Sequence, residues 1–156
     1  MRVYLGGPIN GLTYGEATNW RSLAEARLNQ ANIQVYNPMA GKEHLSGRES
    51  LSWLDAPPNV IAADIERGLA ECDVLLLGFP NSIPTSLGSM FEAGFAYAMG
   101  IPIYIWTRDS INLHPFLNNM ISKVYVGNLF TLVADLWNGE GGGIVHFEDR
   151  LGEALR

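Results

Sequence analysis

Residues 73–106 read "DVLLLGFPNSIPTSLGSMFEAGFAYAMGIPIYIW", and their pattern decides the fold. "DVLLLGF" is continuously apolar, as a parallel strand covered on both faces is. "PNSIPT" breaks the chain into a loop, and "SLGSMFEAGFAYAMG" predicts a helix closed by Gly100. "IPIYIW" then predicts another buried strand. One residue is out of place. Glu92 is the only formally charged side chain from Val74 to Thr107, and it lies amid Met90, Phe91, Ala93, Gly94 and Phe95. Burying an unpaired carboxylate is costly or forces its pKa upward.

The same alternation extends in both directions. "RVYLG" (2–6), "IQVYNP" (33–38) and "KVYVG" (123–127) predict further strands. Helices are expected over 13–32, 59–72, 114–121 and 129–137, with a terminal helix over 146–156. In the first of them Ala17, Trp20, Leu23, Ala24 and Leu28 fall at helical spacing, and in the second Ile61, Ile65 and Leu69 share a face. Residues 39–58 lack periodicity and predict a long loop, and "NGEGGG" (138–143) predicts another. Strand alternating with helix implies one doubly wound (Rossmann/flavodoxin-like) α/β domain over residues 1–156, around a roughly five-stranded parallel sheet. Ligands of such sheets bind beyond the carboxyl ends of the strands. Those ends are "GGPIN", "NPMAGKEH", "GFPNSIPTS" and "WTRDS".

Composition narrows the function. The 156 residues are 47% hydrophobic and 17% charged, as in an ordinary soluble domain. A formal net charge of −6 argues against polymeric nucleic acid, which needs a basic footprint, though not against a small nucleotide. The one cysteine, Cys72, precludes an intrachain disulfide and suits a reducing compartment. The start reaches glycines and a proline before any apolar region develops, and no apolar run approaches the ~20 residues of a membrane span. A cytoplasmic protein without membrane contact is expected.

Glu92 admits two readings. Ser89-x-x-Glu92 fits a capping box, with the glutamate reaching back to a backbone N–H. A helix starting at Ser86 or Thr85 instead puts Glu92 nearly two turns in, where a cleft-facing carboxylate would serve nucleophilic or acid–base chemistry. Asp64 is either a surface acid of its helix or a second functional carboxylate, and Asp73 reads as a helix-to-strand junction. The glycines and proline of "YLGGPING" (Gly6, Gly7, Pro8) let backbone approach a ligand, or simply make a tight turn. They form neither a dinucleotide fingerprint nor a P-loop. Tyr4 either packs in the core or orients a carboxylate. His44, His114 and His146 are scattered without metal-ligand spacing, and Cys72 abuts a strand, so no metal or cofactor is expected.

Together these pieces resemble the nucleoside 2-deoxyribosyltransferase family. The resemblance runs from "VYLGGPI" through "ADIERGLAECDVLLL" to "SLGSMFEAGFAYAMGIPIYIW" and on to "LNNMI". Its specific part is Gly88, Glu92 and Gly94 followed by "GIPIYIW". The resemblance implies N-glycosidic chemistry on a small nucleoside or nucleotide. In the family a glutamate attacks the anomeric carbon of a deoxyribonucleoside, the base leaves, and a second base or water completes the reaction. Glu92 matches that nucleophile, Asp64 the acid near the base, and Tyr4 the tyrosine that holds the nucleophile. Asn118 resembles a residue lent across a subunit interface, which implies a homo-oligomer.

Ser86 bears on the substrate. Six positions before the glutamate the family usually has an aspartate that binds a free 5′-hydroxyl. The related nucleoside 5′-monophosphate N-glycosidases have a serine there, compatible with a phosphate at a helix N-terminus. Those hydrolases carry an arginine in the first loop, whereas "GGPINGLT" has none before Arg21; Lys42, Arg48 and Arg108 are the candidates to replace it. Ser86 also reads as a plain helix cap. Two other readings stand beside the leading one. "GSMFE" echoes the Gly-Thr-x-x-Glu helix of cytokinin-activating phosphoribohydrolases, but the preceding Pro-Gly-Gly is missing. A nucleotide-sensing domain without turnover would not need both Glu92 and Asp64.

Overall fold

A computed structural model describes residues 1–52, 58–80, 86–109 and 113–138. The expected features over 139–156, and most of the "PNSIPT" loop, lie outside those residues. Among the described residues five strands form the sheet: β1 (Arg2–Gly6), β2 (Gln34–Tyr36), β3 (Val74–Phe79), β4 (Ile103–Thr107) and β5 (Lys123–Val126). The helices are α1 (Tyr14–Gln30), α2 (Pro58–Ala63), α3 (Leu87–Ala98), α4 (Pro115–Met120) and α5 (Leu129–Asn138). All strand pairs are parallel and the order is β2-β1-β3-β4-β5. The chain runs outward from β1 to β2, then crosses back over β1 to β3. The strand order reverses there, and such a reversal opens a crevice at the carboxyl ends of β1 and β3.

The side-chain alternation of each strand feeds two layers. On one face Val3, Leu5, Val74, Leu76, Tyr104 and Trp106 pack against Trp20, Ala24 and Leu28 of α1 and Leu132 and Leu136 of α5. On the other, Tyr4, Leu75, Leu77, Ile103 and Ile105 pack against Ala93 and Ala96 of α3 and Leu117 of α4. This explains why β3 and β4 are buried at every position. Leu12, Ala17, Met39, Leu45 and Leu51 make a third cluster, which fastens the 39–52 loop over the end of α1. Helix starts follow local chemistry: Thr13 and Glu16 form a capping box on α1, and Ser86 caps α3 by accepting from Ser89 N–H at 3.2 Å.

Two local expectations need correction. The helix expected over 59–72 is not one α-helix. After α2 comes a π-helical turn, Asp64–Gly68, and then a 3₁₀ turn, Leu69–Glu71. Gly68 lets this segment press on Tyr36, since a β-carbon there would meet the ring at 2.6 Å. In α1, Leu23 is exposed and the buried position of the stripe is taken by Arg21. Cys72 is buried, and burial pushes its thiol up to about 11. Among the described residues no helix is long and apolar enough to cross a membrane, and no three His, Cys, Asp or Glu side chains cluster as metal ligands.

Candidate active site

A cleft of about 1090 Å³ opens at the switch point. β1 and its following loop supply Tyr4, Gly7 and Pro8; the loop after β2 supplies Met39 and Lys42; the π turn supplies Asp64; and α3 with its cap supplies Ser86, Gly88, Phe91 and Glu92. Of the residues singled out in the sequence, Tyr4, Gly7, Pro8, Asp64, Ser86, Gly88 and Glu92 thus share one cavity. Gly6 lies directly beneath it: a β-carbon there would sit 2.7 Å from Glu92 Oε2. Asn118 is elsewhere, exposed on α4, and its backbone N–H donates to His114.

Glu92 does not form the capping box with Ser89. Ser86 is the cap, so the glutamate stands nearly two turns into α3, on the face turned to β1. There Tyr4 O–H donates to Glu92 Oε1 at 2.9 Å, and Gly7 N–H donates to the same carboxylate. Burial pushes the carboxyl up to about 7, against the stabilising pull of Tyr4, the Arg21 cation and Gly7; the Asp64 charge adds to the rise. Burial and the Glu92 charge together push the Tyr4 phenol far above its ordinary range, so it remains a donor at any working pH.

Asp64 is held in a similar way. Tyr36 O–H donates to Asp64 Oδ1 at 2.9 Å, and Lys42 Nζ lies 3.6 Å from Oδ2. The register of β1 and β2 sets Tyr4 opposite Tyr36, and their rings stack with centroids 5.4 Å apart and 7° between planes. Two adjacent strands therefore present two stacked phenols, each donating to one carboxylate. Both acids are thus held and oriented at the cleft by a phenolic hydrogen bond.

Three contributors escaped the sequence reading. Tyr36 stood in "IQVYNP" with no mark beyond its place at a strand end. Lys42, by sequence a candidate phosphate ligand, pairs instead with Asp64. Arg21 carried a visible signal, because a cation at the fourth position after Ala17 and the seventh before Leu28 lies on the apolar stripe of α1.

The fold and cleft define an α/β protein with two carboxylates, Asp64 and Glu92, in a cleft at the switch point. The family model for nucleoside 2-deoxyribosyltransferase matches residues 3–146, and the chain belongs to that family. No curated protein sequence gave a match. A conserved protein from Enterococcus faecalis V583 superposes with a TM-score of 0.66 at 17% identity, over 89% of this chain and 98% of that one. The 2-deoxyribosyltransferase of Bacillus psychrosaccharolyticus gives 0.63 at 15% identity, over 85% and 90%. A CMP N-glycosidase of Clostridium botulinum gives 0.56 at 16%, over 87% and 97%. At such identities these likenesses bear on the fold alone.

Proposed function

We propose that this chain cleaves the N-glycosidic bond of a 2′-deoxynucleoside through a covalent Glu92–deoxyribosyl intermediate. The observation that carries the reading is Glu92 itself, an otherwise costly carboxylate aimed into a cleft and held by Tyr4 and Gly7. Its oxygen attacks the anomeric carbon as the bond to the base breaks, and the bond's electron pair leaves with the base nitrogen. The base leaves as its N–H form on a proton relayed through Asp64 from the Lys42 ammonium paired with it, and the attacking base or water returns that proton. A second base or water then attacks the same carbon and frees Glu92. Phe91, Met39 and Leu51 line the cleft and strengthen the electrostatics at the developing positive charge by excluding water.

A second reading, hydrolysis of a nucleoside 5′-monophosphate, is favoured by Ser86. Its hydroxyl and that of Ser89, 2.8 Å apart at the start of α3, bear no charge to repel a phosphate. Against it, Lys42, the one Lys or Arg among the described cleft-lining residues, is engaged by Asp64. We further propose a homo-oligomer in which Asn118 nears a neighbour's site. Leu87, Phe91 and Phe116 are 91%, 63% and 71% exposed on α3 and α4, and Leu87 and Phe91 also line the cleft.

Chromatography of reactions with ribo- and deoxyribonucleosides and their 5′-monophosphates, with and without an acceptor base, tests these readings. Glu92-dependent exchange of bases supports a transferase, and free base from monophosphates alone supports the hydrolase. No Glu92-dependent product from any substrate would overturn both.

A further inference from the structure

Arg21 is 0% exposed, in the middle of α1. A buried guanidinium is costly unless its donors and its charge are both satisfied. Its donors go to backbone carbonyls: Nε to Leu5 at 3.2 Å, Nη2 to Gly7 at 2.9 Å, and Nη1 to Ala17. The Trp20 ring covers one side, 4.7 Å from Cζ. Carbonyls satisfy the donors without cancelling the charge. Burial pulls the guanidinium down to about 10, and the Glu92 charge favours the cation through space as the cation favours the Glu92 charge.

The carbonyls it selects are significant. Leu5 and Gly7 flank Gly6, whose missing side chain leaves the volume taken by Glu92 Oε2. Gly7 adopts φ +141°, so that its carbonyl faces Arg21 while its N–H faces Glu92. The guanidinium thus grips from behind the span whose front holds the carboxylate. We propose that Arg21 is a positioning residue: it fixes the β1–α1 turn by the Leu5 and Gly7 carbonyls, and its buried cation keeps Glu92 ionised for attack. This inference rests on Glu92 being the nucleophile. Tyr4 from β1, Arg21 from α1 and Asp64 from the π turn are the charged or titratable groups acting on Glu92. Tyr4 and Arg21 favour its charge and Asp64 opposes it, so loss of Arg21 leaves Asp64 less opposed.

The test is ¹³C NMR titration of the Glu92 carboxyl in the full chain, with Glu92→Gln identifying the resonance. Arg21→Met keeps the bulk and removes the charge; Arg21→Lys keeps the charge and loses the fork that grips two carbonyls. Arg21→Met should move the Glu92 midpoint up by about one pH unit or more, and Arg21→Lys by less than half as much. The acid limb of kcat/KM should move with it. A folded Arg21→Met with an unmoved midpoint overturns the proposal. If Arg21→Met does not fold, the Arg21 Nε–Hε resonance decides: it should titrate with the Glu92 midpoint in the wild type and lie flat in Glu92→Gln. A flat wild-type trace overturns the proposal too. These NMR readouts need no turnover, so their failure is distinct from failure of the base-release assay.

Discussion

At the residue scale, the raised pKa of Glu92 links activity and stability with opposite signs. The attacking form is the carboxylate, so kcat/KM should fall as pH drops through about 7. Folding has the reverse preference. With a pKa raised from 4.5 to about 7, the favourable contribution of Glu92 is complete below its unfolded value and lost as pH rises through the folded one. Glu92→Gln should therefore abolish base release, by at least about 10³-fold, yet stabilise the protein. The gain should be of order 1–3 kcal/mol at pH 8 and near nil at pH 4.5, read by denaturant unfolding at both. Tyr4→Phe removes a donor that favours the charged form. It should lower kcat/KM about 10–100-fold at neutral pH and move the acid limb upward, so that the deficit shrinks in alkali. Sequence alone singled out Glu92 because it broke an apolar pattern. Tyr36 broke none, and only the register of two strands revealed its partner.

At the element scale, strands and helices were legible because periodicity and burial coincide in β3, β4 and α1. The segment before β3 was less so. Its composition suits a helix throughout, and the π turn Asp64–Gly68 is the segment that meets Tyr36, a contact that local pattern does not encode. Arg21 shows the same limit from the other side: its position on the apolar stripe was visible, but its carbonyl partners belong to β1 and the turn after it. Packing between elements gives a further expectation. A β-carbon at Gly78 would meet the Trp20 ring at 2.4–2.5 Å, so β3 and α1 approach as closely as they do only through glycine. Gly78→Ala should cost about 1–3 kcal/mol, measured as a lowered unfolding midpoint. Ser86→Ala should cost about 1 kcal/mol by loss of the α3 cap. If Ser86 also held a phosphate, this variant would raise KM for monophosphates and leave KM for nucleosides unchanged.

At the scale of the whole molecule, the apolar surface of α3 and α4 is the feature a lone chain leaves unexplained. Sedimentation should show an oligomer, and Phe116→Asp should dissociate it, because a charge on an apolar contact is costly to bury. Activity should fall with the assembly if Asn118 serves a neighbour's site, and persist in the dissociated chain if it does not. Another whole-chain property follows from Cys72. It is the only cysteine, it is buried, and its thiol is held at about 11, so thiol reagents near neutral pH should leave the folded protein unmodified. A cysteine introduced at exposed, cleft-lining Ala40 would then be the sole reactive site. The natural chain is already a clean background for attaching a fluorophore or spin label beside the cleft, through which occupancy can be followed optically without a turnover assay.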